Sequence, residues 1–155
     1  MEQISQRATN NSGLAIVSPT TNERHWAASA HIAALVLAAL TPWVAGAAGV
    51  AGAGAVYLLK RDQSDFVAEH AREAINFNIS MFIYACIAAA VAVALVGATI
   101  LTLGIGLILT LPAGILLALA GAAIAILWVV CSAVAAIKAW NGERYRYPLT
   151  IRLVR

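Results

Sequence analysis

Charge is confined to short stretches that separate long apolar tracts. From Ala27 to Leu59 the only Asp, Glu, Lys, Arg or His is His31, and from Ala74 to Ile137 there is none. A membrane-crossing helix needs about 20 apolar residues. The second tract is therefore long enough for two spans, whereas the first is long for one and short for two. Thr41-Pro42-Trp43 interrupts the first tract, and Gly46, Gly49, Gly52 and Gly54 follow. Proline lacks an amide hydrogen and clashes with the preceding turn. Two readings fit: a single span with a long apolar lead-in, or two short helices in a tight hairpin, which the proline favours. The second tract breaks between Gly97 and Gly106, and Thr110 with Pro112 could mark the next helix start.

End signals refine these elements. Thr20-Thr21-Asn22-Glu23 has the form of a capping box, with Asn22 a second candidate cap. Asp62-Gln63-Ser64-Asp65 gives a turn and a new N-cap, and Asn141-Gly142 a left-handed stop. The predicted helices run over about 24–41, 43–60, 65–101 and 107–140. Residues 1–23, rich in Ser, Thr, Asn and Gln, are expected to be a flexible tail before a membrane domain over 24–155. That tail lacks the basic start of a signal peptide. Ala45-Gly46-Ala47 could pass for a cleavage site, but the stretch stays apolar to Leu59, so an uncleaved segment is expected. The fold class is all-α: an integral membrane helical bundle of three to four transmembrane or hairpin helices plus a short surface helix.

The most informative polar stretch is Asp65 to Ser80. At helical spacing Asp65, Glu69, Arg72, Glu73, Asn76 and Ser80 fall along one side. This stripe descends from a charged surface toward the apolar run that begins at Ile75. After Gly142 the chain alternates, with Leu149, Ile151 and Leu153 facing one way and Thr150 and Arg152 the other. With Trp140, Tyr145 and Tyr147 this reads as a segment lying on the membrane surface, or else as a soluble strand.

Composition supports the membrane reading. The 155-residue chain is 62% hydrophobic and 11% charged, against about 25% charged in soluble domains. Its net charge of +3 is too small to suggest nucleic acid. Lys60, Arg61 and Arg72 lie in one loop, and Lys138, Arg144, Arg146, Arg152 and Arg155 lie at the end, while the connection over 97–110 has no basic residue. By the positive-inside tendency the loop and C-terminus face the cytoplasm of a cell inner (plasma) membrane protein that crosses several times. Cys86 and Cys131, both in apolar runs, form no disulfide framework and serve packing.

Two motifs resemble a known family. His-Ala-Arg-Glu-Ala-Ile-Asn-Phe-Asn at 70–78 and Lys-Ala-Trp-Asn-Gly-Glu-Arg-Tyr-Arg-Tyr-Pro-Leu at 138–149 are similar to the DUF4870 family. That family is grouped with Tic20-like proteins and with magnetosome membrane proteins of the MamF/MmsF type. Trp26 with His31, the Pro42 break and the Lys60-Arg61 exit fit the same pattern, over about residues 24 to 153. The resemblance implies a small multi-pass membrane protein without a defined activity, and the Tic20 likeness suggests a translocation channel.

The residues offer little chemistry. Glu69, His70 and Glu73 could move protons as a carboxylate–imidazole pair, but the expectation is a solvated helix face in which Glu69 and Glu73 pair locally with Arg72. A metal site would need His25, His31 and His70 to meet, and His25 and His31 are not on one face. No cofactor, metal or catalysis is expected. Small residues on Ala85, Ala88, Ala89, Ala92 and Gly97, and on Gly114, Ala118, Gly121, Ala122 and Ala125, suit helix packing within the chain or self-association. The candidate interaction motif is Glu69, His70, Arg72, Glu73, Asn76, Asn78, Gly142, Arg144 and Arg146. Its expected partners are the lipid bilayer, anionic headgroups, and a second copy or another membrane protein. The expected role is structural or interactive. The alternative is a protein-translocation or solute-transport channel, with His31, Asn76 and Asn78 lining a passage.

Overall fold

The computed structural model describes residues 18–41 and 44–155. Most of the expected tail, and Pro42 and Trp43 of the expected break, lie outside the described residues. The chain forms four helices: α1 (Thr21–Leu40), α2 (Ala45–Lys60), α3 (Asp65–Leu101) and α4 (Leu107–Trp140). The first apolar tract is thus two helices rather than one span.

Each helix begins or ends where its local chemistry directs. Thr20 caps α1: its hydroxyl accepts the Glu23 amide at 3.3 Å, and Glu23 Oε2 accepts the Thr20 amide at 2.8 Å. Ser64 caps α3 by accepting the Val67 amide and donates its hydroxyl to Glu23 Oε1 at 2.5 Å. That bond ties the start of α1 to the start of α3. It is also the main cause, ahead of Thr20, that holds the Glu23 carboxyl below its ordinary range. Gly142, at φ +80°, ends α4 in the left-handed region, where its amide donates to the Ala139 carbonyl and that of Glu143 to Lys138. The last helix starts at Leu107, so Pro112 sits in its second turn rather than its first.

The helices alternate in direction, which gathers every described Asp, Glu, Lys and Arg at one end of the bundle. Contacts across that end fix the arrangement. Lys60 Nζ lies 4.5 Å over the Trp26 ring, and His25 stacks on Trp140 at 4.5 Å. The opposite end, 102–106, carries no charge and turns through Leu103 and Gly104 at positive φ. Thr99 Oγ1 and Thr110 Oγ1 meet at 2.7 Å beside it.

Glycine sets how closely the first three helices approach. A Cβ at Gly52 would lie 2.9 Å from the Ala33 carbonyl group, and one at Gly46 would lie 2.5 Å from Phe82 Cβ. So α2 lies against α1 on one side and against α3 on the other. The small-residue faces of α3 and α4 do not close in this way: Gly97, Gly114 and Gly121 have no atom within 4 Å of a built Cβ. An open apolar groove of about 590 Å³ runs between Ala88, Ala92 and Gly114 instead.

Length then separates two zones. At 1.5 Å per residue, α3 with 37 residues and α4 with 34 extend about 55 and 51 Å, against about 30 and 24 Å for α1 and α2. Because Gly46 at the start of α2 meets Phe82 near the middle of α3, the short pair covers only the charged half of the long pair. Beyond it α3 and α4 are apolar and open: Val93 is 72% exposed, Leu101 85% and Ile108 80%. These two helices are long and apolar enough to cross a membrane.

Candidate functional site: a C-terminal strap on the polar stripe of α3

The polar stripe of α3 is covered by the chain's own C-terminal segment. Residues 143–149 descend along α3, reverse at Pro148–Leu149, where Leu149 has φ +54°, and return toward 155. No strand forms among the described residues. Several of the segment's backbone hydrogen-bonding groups are instead taken up by side chains of α3.

The register is specific. Glu69 pairs with Arg144 at 3.3 Å. Glu73 Oε1 accepts Arg152 Nε–H at 2.9 Å, and Glu73 Oε2 accepts the Tyr147 amide at 3.3 Å. Asn76 Oδ1 accepts the amides of Leu153 and Val154 at 3.0 and 2.8 Å, while its Nδ2 donates to the Val154 carbonyl at 2.8 Å. Ser80 Oγ accepts the Ile151 amide at 2.8 Å and donates back to the Asn76 carbonyl. Tyr84 donates its hydroxyl to the Leu149 carbonyl at 2.7 Å. Positions 69, 73, 76, 80 and 84 recur every three or four residues, so one helix face carries the whole dock.

This corrects the solvated-face reading. Glu73 is 7% exposed, and its ion pair is with Arg152 of the strap, not with Arg72. Arg72 Nε instead donates to the Ala68 carbonyl of its own helix. A carboxylate this buried needs both partners, because charge taken from water without compensation is costly. The charged first turns are continuous with α3, so they are not a separate surface helix. Leu149, Ile151 and Leu153 stay exposed in an irregular strap, and Arg152 between them is exposed as well.

Beside the dock, His31 and His70 meet, a pairing the sequence did not suggest. His31 Nε2 lies 2.9 Å from His70 Nδ1. Tyr147 Oη lies 3.0 Å from His31 Nδ1, and His70 Nε2 lies 3.1 Å from the Glu143 carbonyl oxygen. A carbonyl only accepts, so His70 Nε2 carries the hydrogen. In neutral rings, His70 Nδ1 then accepts from His31 Nε2–H, and His31 Nδ1 accepts from the Tyr147 hydroxyl. The chain of bonds therefore has one direction. Burial raises the Tyr147 phenol above its ordinary range, and burial, with Cys131 beside it, pushes Tyr145 up to about 12. Tyr147 thus stays a donor, with its ring stacked on Phe77 at 4.0 Å. Tyr147→Phe should leave His31 Nδ1 buried and unpaired. The expected loss is about 1–3 kcal/mol, read as a lower denaturation midpoint in detergent; an unchanged midpoint would refute this bond.

The remaining candidates scatter. His25 is on Trp140, and no group of three His, Cys, Asp or Glu side chains is placed to hold a metal ion among the described residues. Asn78 lies on the α2 side of α3. Its Nδ2 donates to the Ala74 carbonyl, and its Oδ1 has no hydrogen-bond partner. That oxygen occupies the place of a Gly49 Cβ, 2.0 Å from it, where a glycine Cα–H can act as a weak donor. His31, Asn76 and Asn78 are each at most 2% exposed and face three different neighbours, so they share no lumen. Gly142 packs against Arg24 and Pro19, and Arg146 lines a small groove beside Arg152. Sequence reasoning missed Tyr147, Ser80 and Arg152 as parts of the dock. The place of Ser80 on the stripe was the available signal.

The model of the magnetosome magnetite crystal formation protein family, MamF_MmsF, matches residues 22–154. No curated protein and no solved structure matches. The matched span includes the strap to Val154 and the side chains that bond it, from His31 in α1 to Tyr84 in α3. With the membrane-type helices and the two motifs at 70–78 and 138–149, this chain belongs to the magnetosome magnetite crystal formation protein family.

Proposed function

We propose that the chain is a structural, non-catalytic component of a membrane, and that it acts by presenting a rigid charged end at the membrane surface. In this reading α3 and α4 cross the bilayer and α1–α2 enters it from one side as a short hairpin. Residues 60–73 and the strap lie on the cytoplasmic side of a bacterial inner membrane, since the basic residues collect there. The family description ties such proteins to magnetite crystal formation in magnetosomes. The role proposed for this chain is to shape or organise that membrane, alone or with a partner.

The dock is the observation that supports this best. A passage needs polar groups left free for cargo, and a proton-transfer enzyme needs them free for substrate. Here Glu73, Asn76 and Ser80 are each bonded to the chain's own strap. Purified protein in liposomes tests the reading. The expected result is no more solute or peptide flux than from empty liposomes. Flux that disappears on Asn76→Leu would favour a transport component and overturn the structural one.

A further inference from the structure

A groove of about 420 Å³ lies between α3 and the returning arm of the strap. Its charged lining is Glu69, Arg72, Glu73, Arg146, Arg152 and Arg155. The two carboxylates are engaged: Glu73 by Arg152 at 2.9 Å, and Glu69 by Arg144 at 3.3 Å. Arg72, Arg146 and Arg155 make no ion pair among the described residues. Three arginines thus line one small groove with no ion-pair partner of their own among the described residues.

Like charges around one groove repel, and an anion in the groove would relieve the repulsion. The groove also lies where α3 leaves its charged turns, since the uncharged tract begins at Ala74. Guanidinium forks match phosphate oxygens in pairs, so phosphate is the anion this donor set suits. We propose that this groove binds a phosphate group, presented by the headgroup of an anionic phospholipid. The phospholipid source rests on the reading that this end lies at a membrane surface; the phosphate chemistry does not. Arg152 holds the strap through Glu73, and Arg72 is tied back to Ala68. Arg146 and Arg155 are therefore the groups to remove without undoing the dock.

The test uses the full chain in phosphatidylcholine nanodiscs carrying a minor fraction of phosphatidylglycerol. Native mass spectrometry counts the lipids that stay bound. The expected result is selective retention of phosphatidylglycerol that falls about tenfold in Arg146→Ala/Arg155→Ala, the size of one lost charge-assisted bond. The corresponding double lysine variant should recover part of it, because charge is kept and the fork is lost. Inorganic phosphate, titrated into the detergent-solubilised protein, is the second arm. Binding of free phosphate that the double alanine variant loses, without lipid selectivity, would keep the phosphate site and overturn the lipid source. Equal retention of both lipids together with no phosphate binding, or binding unchanged in the double alanine variant, would overturn the proposal. A chain that stays dissolved without detergent would refute the membrane reading, and the phosphate arm would still decide the groove.

Discussion

Asn76→Leu should release the C-terminal strap while leaving the helices folded. The substitution removes one acceptor and one donor that together hold Leu153 and Val154 in three hydrogen bonds. Each is worth about 1 kcal/mol net, so the dock should weaken by about 3 kcal/mol, or roughly a hundredfold in the population of the open strap. The freed amides and carbonyl can bond water once the strap lifts, which confines the damage to this segment. Trypsin cuts after arginine, and Arg146 and Arg152 lie within the strap. When opening is fast, cleavage follows the open population. Trypsin should therefore cleave the variant there about a hundred times faster than the parent, with α3 and α4 intact. Cleavage at the parent rate would mean that Asn76 does not hold the strap.

Gly49→Ala should be the most damaging single methyl group in the bundle. Its Cβ would lie 2.0 Å from Asn78 Oδ1, 2.5 Å from Asn78 Cγ and 3.3 Å from the Ala34 carbonyl oxygen. The neighbour cannot simply swing away. Asn78 is 1% exposed, and its Nδ2 is bonded to the Ala74 carbonyl. Either that bond breaks or α2 moves off both α1 and α3. Overpacking of this kind costs about 1–3 kcal/mol, and the lost hydrogen bond adds about 1 kcal/mol. Gly114→Ala is the matched control, because nothing lies within 4 Å of its Cβ. The denaturation midpoint in detergent should fall for Gly49→Ala and hold for Gly114→Ala. Equal effects would show that helix propensity, not the α2–α3 contact, controls stability.

The sequence made some of this legible. Long uncharged tracts gave the helices, because charge is excluded from such segments. Thr20, Ser64 and Gly142 gave their ends, because a cap acts on neighbours three or four residues away. The stripe Glu69, Glu73, Asn76 and Ser80 was visible from spacing alone. What covers it was not. Asn76 and Val154 are 78 residues apart, and no periodicity links a helix face to an irregular strap. The same distance hid His31 from His70. The alternation of Leu149, Ile151 and Leu153 suggested a surface segment, yet it could not show that the amides of Ile151, Leu153 and Val154 bond Ser80 and Asn76. Glycines were ambiguous for a related reason: Gly49 and Gly114 look alike in sequence, and only a neighbour at 2.0 Å tells them apart.

The dock itself can be read amide by amide. Hydrogen exchange of the full chain in lipid nanodiscs should find the amides of Ile151, Leu153 and Val154 slowed at least a hundredfold relative to an unstructured peptide, although no regular secondary structure contains them. If those amides exchange at the free-peptide rate while α3 remains protected, the strap is not seated on its stripe, and Glu73, Asn76 and Ser80 are open for a different purpose.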